Sequence, residues 1–467
     1  MKKIYTVLCV LFVFNTSICA QDLVTTDVSD ANVYFQDGKL TFKSRDDKFK
    51  LWFDNRVYID GAVYSPIQDI SGLNADPNDD IALNGYSGAE DDGQFKFSNG
   101  VVVRRARFGV KATLYDKWFA ELDVDFAYNE IEMKDMFLGY KFNEHFSIKA
   151  GNFKEPLSME RLTSSKYLTG MERPMAVQTF AGGRKIGVAA TGWGEHWWAS
   201  AGVFGGEASI LQKEKNRGSD GWSVSGRVAY SPIVSRDFVL HLGAYASYRT
   251  PEAWGSDDQR WVYFAAFPET RVDGRRFVRA KVGKDGDGGY VDSYVVAGGE
   301  LAVKYKKFLG YGEYIHTQIN RHALVANQRV ELNDAKMGGW YATASYMILG
   351  EQRYYDKSDA EFGPMNVRKR GGNLEIMGRV STIDMNDASD SRALIMGGSA
   401  VNYTAALNWY PVRNILISMN YIFVDNDKYA DDKGDLTAAN GVPLYMSPDW
   451  QNGIDFNVFQ MRLLVSF

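Results

Sequence analysis

Cysteine and histidine are scarce in this 467-residue chain, and each scarcity removes a class of chemistry. Both cysteines, Cys9 and Cys19, lie close to the start, so the rest of the chain has neither a disulfide framework nor a reactive thiol. The five histidines, His145, His196, His241, His316 and His322, show no metal-ligand spacing. There is no Gly-x-Ser-x-Gly, no Walker loop and no GxGxxG set between a strand and a helix, so the signatures of hydrolases and nucleotide-dependent enzymes are absent. Asp285-Gly286-Asp287-Gly288 and Asp76-Pro77-Asn78-Asp79-Asp80 have the beginnings of calcium loops but lack the remaining ligands; they stay open as calcium candidates or solvated acidic loops. No cofactor is expected. No repeat period is present, which argues against a propeller or solenoid.

Long apolar runs are also missing once the first residues are passed. Lys2-Lys3, an apolar core from Ile4 to Phe14 and the small-residue segment ending at Ala20 form an export signal, and cleavage is expected after Ala20. Acylation of Cys19 is the competing reading, opposed by Ile18 in the position where a small residue is needed. Removal of Lys2 and Lys3 shifts the formal charge from -5 to -7, which gives no reason to expect a nucleic-acid partner. Downstream no stretch approaches the ~20 apolar residues of a spanning helix. The mean hydropathy of -0.30 excludes a helical membrane bundle but not a strand-built one, whose lipid-facing and water-facing residues alternate.

What is abundant is period-two alternation together with aromatics: 27 Tyr, 27 Phe and 11 Trp. Phe49 to Val63 sets Leu51, Phe53, Val57 and Ile59 against Asp54, Arg56 and Asp60. Val101 to Leu114 sets Val102, Ala106, Phe108, Val110, Ala112 and Leu114 against Arg105, Arg107 and Lys111, and this parity puts Arg104 on the apolar side. Lys117 to Ala127 sets Trp118, Ala120, Leu122, Val124 and Phe126 against Glu121, Asp123 and Asp125. Similar runs continue to a last one, Ile454 to Phe467, that ends on a terminal aromatic. Roughly 16 such segments predict an all-β fold, a transmembrane antiparallel barrel with lipid outside and water inside. Long and short connections alternate, as outer loops and inner turns should; Gly350 to Gly371 breaks this rule, being long where a short turn is expected.

One connection stands apart. Between Lys154 and Arg184 the chain mixes Arg161, Lys166 and Arg173 with Leu157, Met159, Leu162, Tyr167, Leu168, Met171 and Phe180. Apolar residues need a wall and charges need water, so this loop is expected to fold into a wet cavity. Lys154, Arg184 and Lys185 flank it. Arg56, Arg227, Arg249, Arg379 and Arg462 point inward by alternation on other strands. Arginine suits a path for oxyanions because its planar fork passes an anion between donor pairs. For Arg105 and Arg107 two readings stand, selectivity or cross-strand ion pairing with the acidic row Glu121, Asp123 and Asp125.

The segments RRARFGV (Arg104 to Val110), DVDFA (Asp123 to Ala127), KDMFLGYKF (Lys134 to Phe142), KAGNFKEPLSME (Lys149 to Glu160), LTSSKYLTGMERP and FAGGRKIGV occur in the order found in the phosphate-selective porin O/P family, which this sequence resembles. The resemblance implies a trimeric 16-stranded barrel in the outer membrane whose third loop narrows the pore, passing small anions such as phosphate. The organisation expected is a signal peptide at residues 1–20, a periplasmic segment at 21–48 and a barrel at 49–467, with the constriction region at 151–190. Arg105, Arg107, Lys154, Arg161, Lys166, Arg173, Arg184 and Lys185 are the expected pore residues. A weakly selective or cation-preferring porin is the alternative; a barrel enzyme or an adhesin fits less well.

Overall fold

The computed structural model describes residues 31–467 apart from positions 37, 67–96, 207–219, 255–258, 284–288, 327, 428 and 431–453. The export signal and both candidate calcium loops lie outside the described residues. The rest forms a closed barrel of 16 antiparallel strands. In chain order these are β1 (Arg56–Pro66), β2 (Gly100–Leu114), β3 (Trp118–Asp125), β4 (Glu132–Asn143), β5 (Phe146–Lys154), β6 (Arg184–Trp193), β7 (Trp197–Phe204) and β8 (Trp222–Val234). They continue with β9 (Phe238–Thr250), β10 (Tyr290–Tyr305), β11 (Phe308–Val325), β12 (Ala335–Leu349), β13 (Asn373–Asp387), β14 (Ile395–Val412), β15 (Ile415–Asn426) and β16 (Phe456–Ser466). Closure comes from β16 pairing with β1, from Phe456 opposite Pro66 to Ser466 opposite Arg56. Closing the sheet leaves no edge in the hydrocarbon, which is why alternation alone suffices to cross it.

Period two is visible in exposure. Ile59, Val63, Phe108, Trp118, Leu138, Val188, Val203 and Trp340 are exposed on the outside, while Arg56, Asp60, Arg107, Asp123 and Arg227 are buried inside. Two expectations about the first strands need correction. The single strand expected from Phe49 to Val63 is broken at Asp54 and Asn55: Phe49–Phe53 belongs to a three-stranded annex with Ala31–Gln36 and Lys39–Ser44, paired to the far end of β2. At the break the Asp54 N–H donates to the Gly109 carbonyl at 2.9 Å, and a Cβ at position 109 would meet the Asp54 carbonyl oxygen at 2.9 Å. That approach turns the Asp54 carboxylate into the lumen.

The second correction concerns Arg104. Tyr58 pairs with Arg105 while Ile59 pairs with Val103, so β2 carries one extra residue at Arg104. This β-bulge reverses the parity on its far side: Val101 (72% exposed) and Val103 (47%) face outward in place of Val102, and Arg104 turns into the barrel.

Three connections fold inward, two from one end of the barrel and one from the other. The third loop carries a short helix, α1 (Met159–Leu162), and a second, α2 (Met175–Phe180). Its Leu157, Met159, Met175, Ala176, Val177 and Phe180 are buried against Tyr245, Ile315, Met337, Tyr341 and Ile383 of the wall. A hairpin in the fifth loop, Val262–Ala266 paired with Val278–Val282, joins the same apolar cluster. From the other end the long Gly350 to Gly371 connection enters as a small hairpin of Tyr355–Asp356 and Glu361–Phe362. Trp198 Nε1 donates to its Ser358 carbonyl at 2.8 Å, and Arg353 reaches the third loop at the Tyr167 carbonyl, 2.9 Å away. Its length is thus the length needed to reach the barrel interior.

Candidate functional site

The third loop holds its shape through its own backbone before it touches solute. Ser158, at φ 60°, caps α1 by accepting from the Arg161 N–H. Lys154 Nζ donates to the Leu162 carbonyl at 2.7 Å, while Arg173 donates to the carbonyls of Glu160 at 2.8 Å and Thr163 at 2.6 Å. Lys166 pairs with Asp54 at 2.5 Å, at the strand break. Glu172 is gripped from three sides, by Arg104 at 2.7 Å, Arg462 at 2.8 Å and Arg271 at 3.8 Å. Burial alone would raise this carboxyl, but Arg104 and Arg462 hold it well below the usual range.

Between the loop and strands β2 to β7 lies an open chamber of about 910 Å³. Its lining carries fifteen Lys and Arg against seven Asp and Glu, in a chain whose formal charge is -5. Arg105, Arg107, Lys154, Arg161, Lys166, Arg173 and Arg184 all line it; Lys185 does not. Arg104, which parity had set outside, lines it as well.

Pairing divides these cations. Arg107 is matched by Asp125 at 2.9 Å and Asp123 at 3.3 Å, Arg184 by Asp135 at 2.6 Å, and Lys111 by Glu121 at 3.0 Å. Among the described residues Arg105 has a 4.0 Å approach to Asp125 and a Tyr58 ring 5.8 Å from its guanidinium carbon, and its buried Nε has no hydrogen-bond partner there. Among the described residues the Arg161 Nε is likewise buried without a partner, as are those of Arg56 and Arg271. Burial, with Arg173 and Arg184 beside it, pulls the Arg161 guanidinium down to about 9, so it is still charged at neutral pH. Burial lowers the Lys166 ammonium to about 8 against the pull of Asp54. On the inner hairpin, burial and then Asp359 push the Glu361 carboxyl up to about 8.

Glu121, Asp123 and Asp135 bring carboxylate oxygens within 4.8 Å of one another, a spacing that a metal would accept. Each is already engaged by Lys111, Arg107 or Arg184, so the group reads as counter-charge to the basic row. The other inward arginines serve as anchors: Arg227 pairs with Glu300 at 2.8 Å, Arg249 with Glu155 at 2.8 Å, Arg379 with Glu269 at 3.3 Å and Arg462 with Asp60 at 2.6 Å.

Sequence reasoning did not place Arg271 and Arg276 in the site, although both line the chamber and pack on the Phe267 ring, 3.5 and 4.4 Å from its centroid. The signal was present as the cluster Arg271, Arg275, Arg276 and Arg279; what was missing was the fifth loop's inward course. Asp359 and Glu361 were missed because the inward course of the Gly350 to Gly371 connection was missing as well.

The model for phosphate-selective porin O and P matches residues 77–467. Porin O of Pseudomonas aeruginosa is 25% identical over 364 residues, covering 72% of this chain and 80% of that one. Among solved structures, an anion-selective porin from Comamonas acidovorans superposes with a TM-score of 0.50 at 12% identity, covering 90% of this chain and all of its own (100%). A family match over most of the length, on a closed barrel with an infolded third loop, makes this chain an outer-membrane porin, a non-enzymatic channel, and it belongs to the phosphate-selective porin O and P family.

Proposed function

We propose that this porin conducts small anions, phosphate among them, in preference to cations. The observation that carries the reading is the surplus of cations around the chamber, fifteen against seven, at the section narrowed by the third loop. Fixed charge acts most strongly where the path is narrow and partly dry, because the effective dielectric is low there and salt screens little. Among the described residues of the lining, Arg105 and Arg161, together with Arg56 and Arg271, have an Nε without a hydrogen-bond partner, and Arg105 and Arg161 are the pair we assign to the oxyanion. Lys154 and Arg173, whose hydrogen bonds go to neutral backbone carbonyls, supply the surrounding positive potential, while Arg107, Lys166 and Arg184 are largely offset by their carboxylates. The family's description as phosphate-selective, and that of the Comamonas porin as anion-selective, support the same direction.

The test is the reversal potential of the purified protein in planar bilayers under a potassium chloride gradient, followed by block of chloride current by added phosphate. An anion-side reversal potential with block below millimolar phosphate is expected. A potassium-preferring channel overturns the reading and makes Glu121, Asp123 and Asp125 the selectivity wall. We further propose export through a signal cleaved after Ala20, leaving a periplasmic segment from residue 21 to 48, and assembly as a homotrimer. Mass spectrometry of the mature N-terminus and cross-linking in detergent check these two.

A further inference from the structure

Glu300 on β10 and Glu313 on β11 stand directly opposite each other, both pointing into the barrel and both buried. Like charges in that position repel, and a sheet keeps such a pair only when donors come to both members. Here the donors come from the loops. Glu313 accepts from the Ser158 hydroxyl at 3.0 Å and the Glu160 N–H at 2.9 Å, both on the third loop, and from the Tyr341 and Tyr245 hydroxyls at 2.8 and 2.9 Å. Glu300 accepts from the Met159 N–H at 2.8 Å, so consecutive backbone amides of one turn are taken by the two carboxylates.

Glu300 also faces the other infolded segment. Arg227 donates its Nε to Glu300 at 2.8 Å and its Nη2 to the Ala360 carbonyl at 2.8 Å. His241 lies 3.0 Å from Glu300 through Nε2 and 2.7 Å from the Tyr355 hydroxyl through Nδ1. Ala360 and Tyr355 belong to the inner hairpin. The loop that narrows the chamber from outside and the hairpin that enters from within are thus fastened to one pair of side chains.

We propose that Glu300 and Glu313 are the positioning residues of the constriction: they set where the third loop stands in the lumen, and through Arg227 and His241 they tie the inner hairpin to that setting. Neither touches the chamber; they act through the turn from Ser158 to Glu160, whose far side carries Arg161 into the lining. The proposal rests on the channel reading but not on the sign of the ion, because conductance and current noise report loop position whichever ion carries the current.

Glu313→Leu leaves Ser158, Glu160 and two tyrosines without their acceptor, and should raise single-channel conductance several-fold with strong open-channel noise. Mobility on unboiled gels, which reports the closed barrel, should not change. Glu313→Gln keeps a carbonyl oxygen for the loop donors and should restore quiet currents near the parent level. Ser158→Ala and Tyr355→Phe lie off the barrel wall and should each give a smaller rise in noise. Parent-like conductance and noise in Glu313→Leu with an intact barrel overturns the proposal. If Glu313→Leu does not assemble, quiet parent-like currents in both Ser158→Ala and Tyr355→Phe overturn it. The parent's reversal potential decides the anion reading separately: a cation-preferring parent sinks that reading and leaves this one standing.

Discussion

The two sides of the barrel treat charge differently. The wall from β10 to β14 is built of long strands, with 16 residues in β10, 18 in β11 and 18 in β14, and the third loop leans on it. Among the groups on or against that side, Arg227, Arg353 and Arg379 each face a buried carboxylate, of Glu300, Glu375 and Glu269 respectively. The opposite wall has short strands, with 8 residues in β3, 9 in β5 and 8 in β7, and there the lumen stays open and cations outnumber acids. A matched charge spends its field on its partner and fixes position; an unmatched one projects its field into water, where solutes meet it. Counting inward arginines therefore says little about selectivity until the partners are known.

The comparison breaks most sharply if charge is reversed on the open side. Arg105→Glu combined with Arg161→Glu should carry the reversal potential from the anion side toward the cation side. Replacing Arg161 alone by Met should weaken phosphate block about tenfold or more, since a hydrogen bond to a charged group is worth about 1.5–3 kcal/mol. Measured reversal potentials and block curves check both.

On the matched side the same kind of change should act on stability. Arg379→Met strands the Glu269 carboxylate, and breaking a buried pair costs about 3–5 kcal/mol. The expected result is a lower temperature for loss of the compact gel form, with an almost unchanged reversal potential.

Alkaline pH should sharpen the comparison more gently. With Lys166 and Glu361 at about 8 and Arg161 at about 9, all on the chamber, raising pH from 7 to 9 removes positive charge and adds a negative one. Both changes have the same sign for a solute, so anion preference should fall as pH passes through about 8. Lys166→Arg should blunt the change without abolishing it, because Glu361 still ionises.

Salt should have the smallest effect. Between ~0.1 M and 1 M the Debye length falls from ~10 Å to 3 Å, which weakens long-range attraction but reaches little into a narrow, partly buried site. Anion preference measured across that range should decline gradually and persist at the upper end.

Much of the architecture could be read from residue order alone. Strand number follows from period two, since a barrel wall with lipid on one side and water on the other imposes that alternation on every crossing strand. The inward course of the third loop follows from Leu157, Met159 and Phe180 sitting among cations in a connection that had no other apolar surface to cover. The fate of Arg104 did not follow, because a one-residue bulge leaves no mark in an alternation pattern that is already degenerate across Val101, Val102 and Val103. Nor could alternation separate working cations from anchors. Arg104 meets Glu172 across 68 positions and Arg462 meets the same carboxylate across 290, so the match is made by the closure of the barrel and the path of the loop. Local pattern determined which residues face water; only the tertiary structure decided which were left unmatched there, because a Coulomb pair depends on distance in space and not on separation along the chain.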